Sequence, residues 1–224
     1  MRVIAGSARG LRLKAPEGRG TRPMTDRVKE SLFGTLASLG YPQEGDRVLD
    51  LYAGTGSLGI EALSRGAGWC DFVEQNAGVA RIIAANLAFT RLAGHARVHS
   101  MAVDAYLKLR AAGRSLLPGD KDPLPAVKCD IIFMDPPYAD PAIREILGQV
   151  AAGPFLAPDG LLVVGHATTV ELPDAPGPLR RIRHRTFGGS AFSLYKYAAA
   201  AAGSEADPGD ADAAPDEDDD EEIC

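Results

Sequence analysis

Two short stretches carry most of the chemistry available to this sequence. Residues 52–59 read YAGTGSLG, with Gly54, Gly56 and Gly59 at the spacing G-x-G-x-x-G. That spacing lets backbone close on a ligand where a helix begins, and it is the dinucleotide-binding fingerprint. Residues 135–138 read DPPY. Asp135 brings a carboxylate and Tyr138 a flat ring. Pro136 and Pro137 fix an extended, rigid segment whose carbonyls have no nearby N–H competitors. Together these groups suit a planar amine: acceptors for two N–H bonds and a face to stack on. Acceptors that hold both protons favour a localised nitrogen lone pair and the positive charge that develops on methyl transfer. A proline-rich turn with no ligand is the plain alternative.

The neighbours of the glycines narrow the ligand. Asp50 stands at the end of the apolar run that enters the loop. In a dinucleotide site the pyrophosphate rests on the helix N-terminus after the glycines, where an ionised Asp50 would repel it. A carboxylate there suits a cationic ligand. S-adenosylmethionine has an ammonium and a sulfonium and no phosphate, so the loop Tyr52, Ala53, Gly54, Thr55, Gly56 with Gly59 is expected to approach its methionine portion. Glu74 follows Gly56 by 18 residues and can accept both ribose hydroxyls of either nucleoside cofactor. Asp104 can accept from an adenine amine, or serve only as a negative charge at a helix N-terminus.

These residues need elements to hold them. RVLDLY (47–52), CDFVE (70–74), ARVHS (96–100), CDIIFMD (129–135) and GLLVVGH (160–166) are short apolar runs that predict strands. Helices are predicted between them over 57–66, from Asn76 onward, over 103–111 and from an Asp140–Pro141 cap to about 151. Alternating strands and helices predict a parallel sheet covered on both faces, a Rossmann-like α/β fold. Two final runs, near 179–187 and 190–197, flank Gly188–Gly189 and predict an antiparallel pair at the sheet edge. Upstream, residues 2–15 predict a small hairpin turning at Gly6–Gly10, and 16–23 a linker. Thr25 or Asp26 caps a helix over 26–38, with Val28, Leu32 and Leu36 as its apolar stripe and Lys29 off it. Residues 113–128 predict a loop.

Composition sets the class. The chain has 224 residues and 46% apolar content, enough for one sizeable core. No run approaches the roughly 18 apolar residues that span a bilayer, and the basic N-terminus has no secretory pattern. Cys70, Cys129 and Cys224 are scattered, which argues against a disulfide framework or a zinc site and for a reduced, cytoplasmic protein. The net charge of −6 hides a basic body. Residues 204–224 hold 11 acids and no base, which leaves 19 acids against 24 bases in the rest. Eight bases fall in residues 1–31, and residues 180–185 read RRIRHR. A basic body suits a polyanion, because phosphate neutralisation releases counterions; a solvated basic face is the alternative. The acidic tail over 198–224 cannot bury enough apolar surface to fold and is expected to be disordered and inert, with competition against nucleic acid for the basic surface as the alternative.

The stretches VLDLYAGTGSLGIEALSRGA, FVEQN and FMDPPY resemble class I S-adenosylmethionine-dependent methyltransferases of exocyclic amines. MRVIAGSARGLRLKAP and RPMTDRVKESLF narrow the resemblance to the RsmD family, the 16S ribosomal RNA guanine-N2 methyltransferases. It covers about residues 1–197, and GGSAFSLYKY fits that family's last strand. The resemblance implies a seven-stranded, mostly parallel sheet in residues 24–197, with 1–23 as an RNA-binding extension. It implies that Asp50, Ala53, Gly54, Gly56, Glu74 and Gln75 hold the cofactor, with Asp104 near its adenine. It implies that Asp135, Pro136, Pro137 and Tyr138 hold the guanine and activate N2, and that Thr25 and Arg27 border the cleft. Arg2, Arg9, Arg12, Lys14, Arg22 and Arg27 would grip RNA phosphates. The implied partner is 16S rRNA within the 30S subunit or an assembly intermediate, the implied enzyme a monomer without metal. Three alternatives stay open: amine methylation of adenine N6 or a protein glutamine, a nicotinamide dehydrogenase, and a non-catalytic ribosome-assembly factor.

Overall fold

The computed structural model describes residues 1–16, 25–114, 127–137 and 141–198. Arg22, Tyr138, the Asp140 cap, Cys224, most of the 113–128 loop and nearly all of the acidic tail lie outside the described residues.

Five apolar runs become parallel strands β1 (Arg47–Leu51), β2 (Trp69–Val73), β3 (Ala96–His99), β4 (Cys129–Met134) and β5 (Leu156–Ala167). Two more, β6 (Leu179–Phe187) and β7 (Ser190–Tyr197), add antiparallel at one side. The order is β3-β2-β1-β4-β5-β7-β6. Alternate residues of the central strands are buried on both faces. Val48, Phe72, Ile131, Phe133 and Val163 pack toward α1 (Asp26–Ser38), α2 (Ser57–Ser64) and α3 (Ala77–Thr90). Leu49, Leu51, Ile132, Met134 and Val164 pack toward α4 (Val103–Ala111) and α5 (Ile143–Ala152). From β1 the chain winds outward to β2 and β3, and from β4 outward to β5. The order therefore reverses between β1 and β4, the place where open α/β sheets bind ligands beyond the strand C-termini.

Caps set the helix starts. Thr25 Oγ1 accepts from Val28 N–H at 3.3 Å, and Asn76 Oδ1 accepts from Gly78 and Val79 N–H at 2.8 and 3.2 Å. Several boundaries differ from the sequence reading. β1 stops at Leu51 because Tyr52 takes a positive φ of 60° and leaves the strand. β5 begins at Leu156, not 160, because the turn-like Pro158–Gly160 is accommodated as a register shift against β4. α5 begins at Ile143, and Pro141 lies in the turn before it.

The N-terminal hairpin reduces to one antiparallel bridge, Arg2 with Arg12. Backbone bonds such as Val3 N–H to Leu11 carbonyl at 3.0 Å and Leu13 N–H to Met1 carbonyl at 3.1 Å accompany it, and core side chains hold its backbone as well. Glu61 accepts from Ile4 and Ala5 N–H at 2.8 and 3.0 Å, and Ser64 Oγ accepts from Ala8 N–H at 2.9 Å. Fully buried Asn86 accepts from Lys14 N–H at 2.8 Å and donates to the carbonyls of Lys14 and Thr55, both at 3.0 Å. One amide thus ties this arm to the glycine loop. Lys29 is a correction. Its side chain is fully buried, donates to Arg2 carbonyl at 2.6 Å and pairs with buried Glu61 at 3.2 Å. A buried charge survives only when paired, so Lys29 belongs to the core and not to the basic surface.

Candidate active site

The turn from β1 into α2 builds one wall of the site. Asp50 is 1% exposed, and its carboxylate accepts from Gly59 N–H at 2.9 Å. Burial pushes its pKa up to about 7; the Gly59 N–H pulls the other way, and the nearby Asp135 and Glu74 charges add to the rise. Gly56 caps α2 with a positive φ of 78°, which a side chain would strain. A Cβ there would press on Ile83 at 3.0 Å and Ile60 at 3.2 Å, and one at Gly59 would meet Cys70 Sγ at 2.6 Å. Two of the three glycines therefore serve helix-on-sheet packing. Gly54 alone lines the cavity. Glu74 is fixed at the rim by Gly54 N–H at 3.1 Å and Asn76 N–H at 2.8 Å.

The end of β4 builds the facing wall. Asp135, Pro136 and Pro137 line the same cavity. Asp135 is half-buried, and burial raises its carboxyl to about 6. Its Oδ1 sits over Gly165 of the neighbouring β5, where any Cβ would collide with it. Glycine inside a buried strand marks such a close approach.

A third wall comes from α1 and from the turn between β6 and β7. Thr25, Arg27, Val28 and Ser31 face Thr186–Phe192 across the opening. The enclosed cavity is about 1000 Å³, at the upper end of the roughly 300–1,000 Å³ typical of small-ligand sites.

Most predicted ligand-side residues meet here: Thr25, Asp50, Tyr52, Ala53, Gly54, Thr55, Glu74 and Gln75 on the glycine-loop side, with Asp135, Pro136 and Pro137 opposite. Gly56 and Gly59 face the core instead. Asp104 does not line the cavity. It sits in the first turn of α4, bonded to Lys108 Nζ at 2.8 Å and Gln149 Nε2 at 3.0 Å, and those bonds lower its pKa. Its position matches the helix N-terminal charge. Arg27 lines the cavity, while Arg9, Arg12 and Lys14 are exposed outside it. Arg2 pairs with Asp26 at 3.1 Å.

The sequence reading missed four features of the site, three of them in the lining. Ser57 opens α2, lines the cavity and has a buried Oγ with no hydrogen-bond partner among the described residues. Such a group costs about 1–3 kcal/mol unless a ligand or water satisfies it. His166 lines the cavity from β5, with Nδ1 toward the Ala167 carbonyl at 2.9 Å and Nε2 toward Ser193 Oγ at 3.0 Å. The other two are Gly165 and the β6–β7 turn. A glycine inside the apolar run GLLVVGH was the available signal for Gly165; no local pattern marks the rest.

A family model described as "Conserved hypothetical protein 95" matches residues 1–196. The chain is 38% identical over 196 residues to a candidate rRNA methyltransferase, YlbH, of Bacillus subtilis (strain 168), covering 88% of this chain and 98% of that protein. It is 32% identical to ribosomal RNA small subunit methyltransferase D of Escherichia coli (strain K12), covering 88% and 89%. A solved structure of a candidate methyltransferase, yhhF, from Escherichia coli superposes with TM-score 0.72 at 31% identity, covering 88% and 97%. The match runs from the first residue to the last strand and takes in every wall of the cavity, and on that basis the chain belongs to this family, the RsmD family.

Proposed function

We propose that this chain transfers a methyl group from S-adenosylmethionine to the exocyclic N2 amine of a guanine in 16S ribosomal RNA. The observation that carries this reading is the meeting of two acid-bearing strand ends, Asp50 at the next-to-last position of β1 and Asp135-Pro136-Pro137 just after β4, in one cavity at the switch point. The relatives named for methyl transfer to small-subunit rRNA support it.

The cavity residues fit the cofactor. Asp50 offers a buried carboxylate to a cationic ligand, Glu74 offers lone pairs at the rim, and Ser57 Oγ is a buried polar atom in want of a partner. When bound, S-adenosylmethionine supplies a methyl on a sulfonium and a neutral thioether leaving group. The protein's own part is positioning and electrostatics. Asp135 and the carbonyls of its proline segment accept the two amine N–H bonds, localise the nitrogen lone pair and stabilise the charge that develops there. The proton departs after the methyl has moved, so Asp135 need not be strongly basic. A carboxyl near 6 is ionised in neutral solution and serves as acceptor. A base inside a folded RNA must leave its stack to reach the cavity.

The substrate in this reading is rRNA within the 30S subunit or an assembly intermediate, and the enzyme is a cytoplasmic monomer in which residues 1–23 extend the methyltransferase domain toward RNA. Among the described residues no helix is long and apolar enough to cross a membrane. Asp135→Ala tests the assignment. Methyl transfer is expected to fall by about 10²–10³-fold, as when one preorganised electrostatic partner is removed, while calorimetry still shows S-adenosylmethionine binding. Normal turnover in that variant would sink the role of Asp135.

A further inference from the structure

Strand β6 is the outer edge of the sheet, and its C-terminal end leads into the turn that lines the cavity. Its sequence around 180–185 is RRIRHR. The register against β7 shifts within it: Arg181 lies opposite Tyr195, but Arg183 lies opposite Leu194. Ile182 is the extra residue of a bulge, and a bulge re-aims every side chain that follows it. With unbroken alternation Arg183 and Arg185 would share the face of Arg181 and Tyr195, toward α4 and α5. The bulge turns both onto the face of Leu194 and Phe192, which pack with α1. His184 goes to the other face, where Nδ1 lies 3.1 Å from Ser193 Oγ.

On the α1 face these two arginines line the last stretch of β6 before the turn that borders the cavity. Arg185 borders a small recess together with Leu32 and Thr35, which lie one helical turn along α1 from the cavity-lining Val28 and Ser31. Thr186 and Phe187, next in the chain, line the cavity itself. Both arginines are exposed, and among the described residues neither is ion-paired. Their neighbours are engaged: Arg181 pairs with Asp174, and Arg180 donates to the carbonyls of Gly177 and Leu179 at 3.1 and 2.8 Å. The bulge therefore puts two cations, unpaired among the described residues, on one face of the strand that leads into the opening where a target base must enter.

We propose that Arg183 and Arg185 form a phosphate-binding ledge for the RNA strand that flanks the target base. The proposal rests on the RNA-methylation reading and adds to it a contact surface on the C-terminal edge strand, away from the N-terminal arm. The occupant is nucleic acid because the ledge is cationic and adjoins a cavity with an amine-gripping motif; phosphate contacts of this kind fix register and carry no sequence information. Charges on an edge strand also block edge-to-edge pairing between sheets. Either sign of charge serves that purpose, whereas only positive charge holds phosphate.

Charge reversal separates the two roles. R183E/R185E keeps the edge charged and is expected to remain soluble and to bind S-adenosylmethionine as the wild type does. Its affinity for 16S rRNA is expected to fall at least tenfold, with a raised KM for RNA. The slope of log affinity against log salt should flatten by about 1.4, at roughly 0.7 per single-strand phosphate contact. R183K/R185K should restore most of the affinity. If the reversed variant aggregates, R183Q/R185Q is read by the same criteria. Wild-type RNA affinity and salt slope in a folded reversed or neutral variant overturn the ledge. A wild-type protein that binds and methylates rRNA while its variants match it removes only the ledge; a wild-type protein that binds no RNA overturns the ledge and the functional reading together.

Discussion

The two strand ends that meet in the cavity carry the same side chain in different settings. Asp50, the next-to-last residue of β1, is almost fully enclosed, tied to Gly59 N–H and backed by a glycine-packed helix, with a pKa near 7. Asp135, after β4, is half-buried, seated over a bare glycine of β5 and followed by two prolines, with a pKa near 6. The first is locked into the packing of β1 and α2. The second rests on a space left for it, so its position depends on what β5 omits rather than on what bonds it. In the proposed function the first acid is part of the wall that a cation meets, and the second is aimed into the cavity from a rigid segment. On that reading the neighbouring strand and helix, not the residue type, assign one aspartate to holding and the other to chemistry.

Gly165→Ala attacks the contrast hardest. The added methyl collides with Asp135 Oδ1 and must displace it. Turnover is expected to fall by about 10²-fold, the cost of a misplacement near 1 Å, while the dissociation constant for S-adenosylmethionine stays within about threefold of wild type. Single-turnover methyl transfer alongside calorimetry measures both. A variant with full turnover would show that Gly165 does not seat Asp135.

Asp50→Asn tests the other acid. Asn can still accept from Gly59 N–H, so the fold is kept while the charge is lost. Cofactor affinity is expected to fall by about 10- to 100-fold, the worth of a hydrogen bond to a charged group at about 1.5–3 kcal/mol. In the wild type a cationic ligand binds the ionised carboxylate, so affinity should weaken as pH drops below about 7, by up to tenfold per unit. The variant should lose that pH slope. Titrations between pH 5.5 and 8.5 on both proteins decide it.

The smallest effect is on stability. Both carboxyls titrate higher in the folded protein than the ordinary value of 3.8. The folded state therefore holds protons that the unfolded chain has released. Their contribution is fully present below about pH 4 and is lost as pH rises through about 6 for Asp135 and about 7 for Asp50. Relative to Asp50→Asn, the wild type without ligand should lose stability between about pH 4 and 7 and change little above that, read from urea midpoints at each pH. Parallel curves would show that Asp50 ionises as freely in the fold as in the unfolded chain.

The sequence made the strand ends legible because period and composition report burial. Five apolar runs bounded by turns are the parallel strands, and the two motifs fall at their C-termini at the switch point. What spacing could not show is direction. Gly54, Gly56 and Gly59 match one fingerprint, yet only Gly54 meets the cavity, and the others are small because Ile83, Phe72 and Cys70 approach them from behind. Lys29 read as a surface base because its tertiary partner Glu61 is 32 residues away on another helix. Asp104 was compatible with two roles, and packing against Gln149 of α5 places it away from the cavity. Ser57, His166 and the β6–β7 turn reach the cavity only because α2, β5 and β7 assemble around it, which no local pattern encodes.

The most direct measurement is nucleoside mass spectrometry of rRNA after reaction with labelled S-adenosylmethionine, using 30S particles and free 16S rRNA from cells that lack the modification. The account predicts labelled N2-methylguanosine at one position of 16S rRNA with the wild-type protein and none with Asp135→Ala. Label in adenosine or in protein, or no label on either substrate, would contradict it.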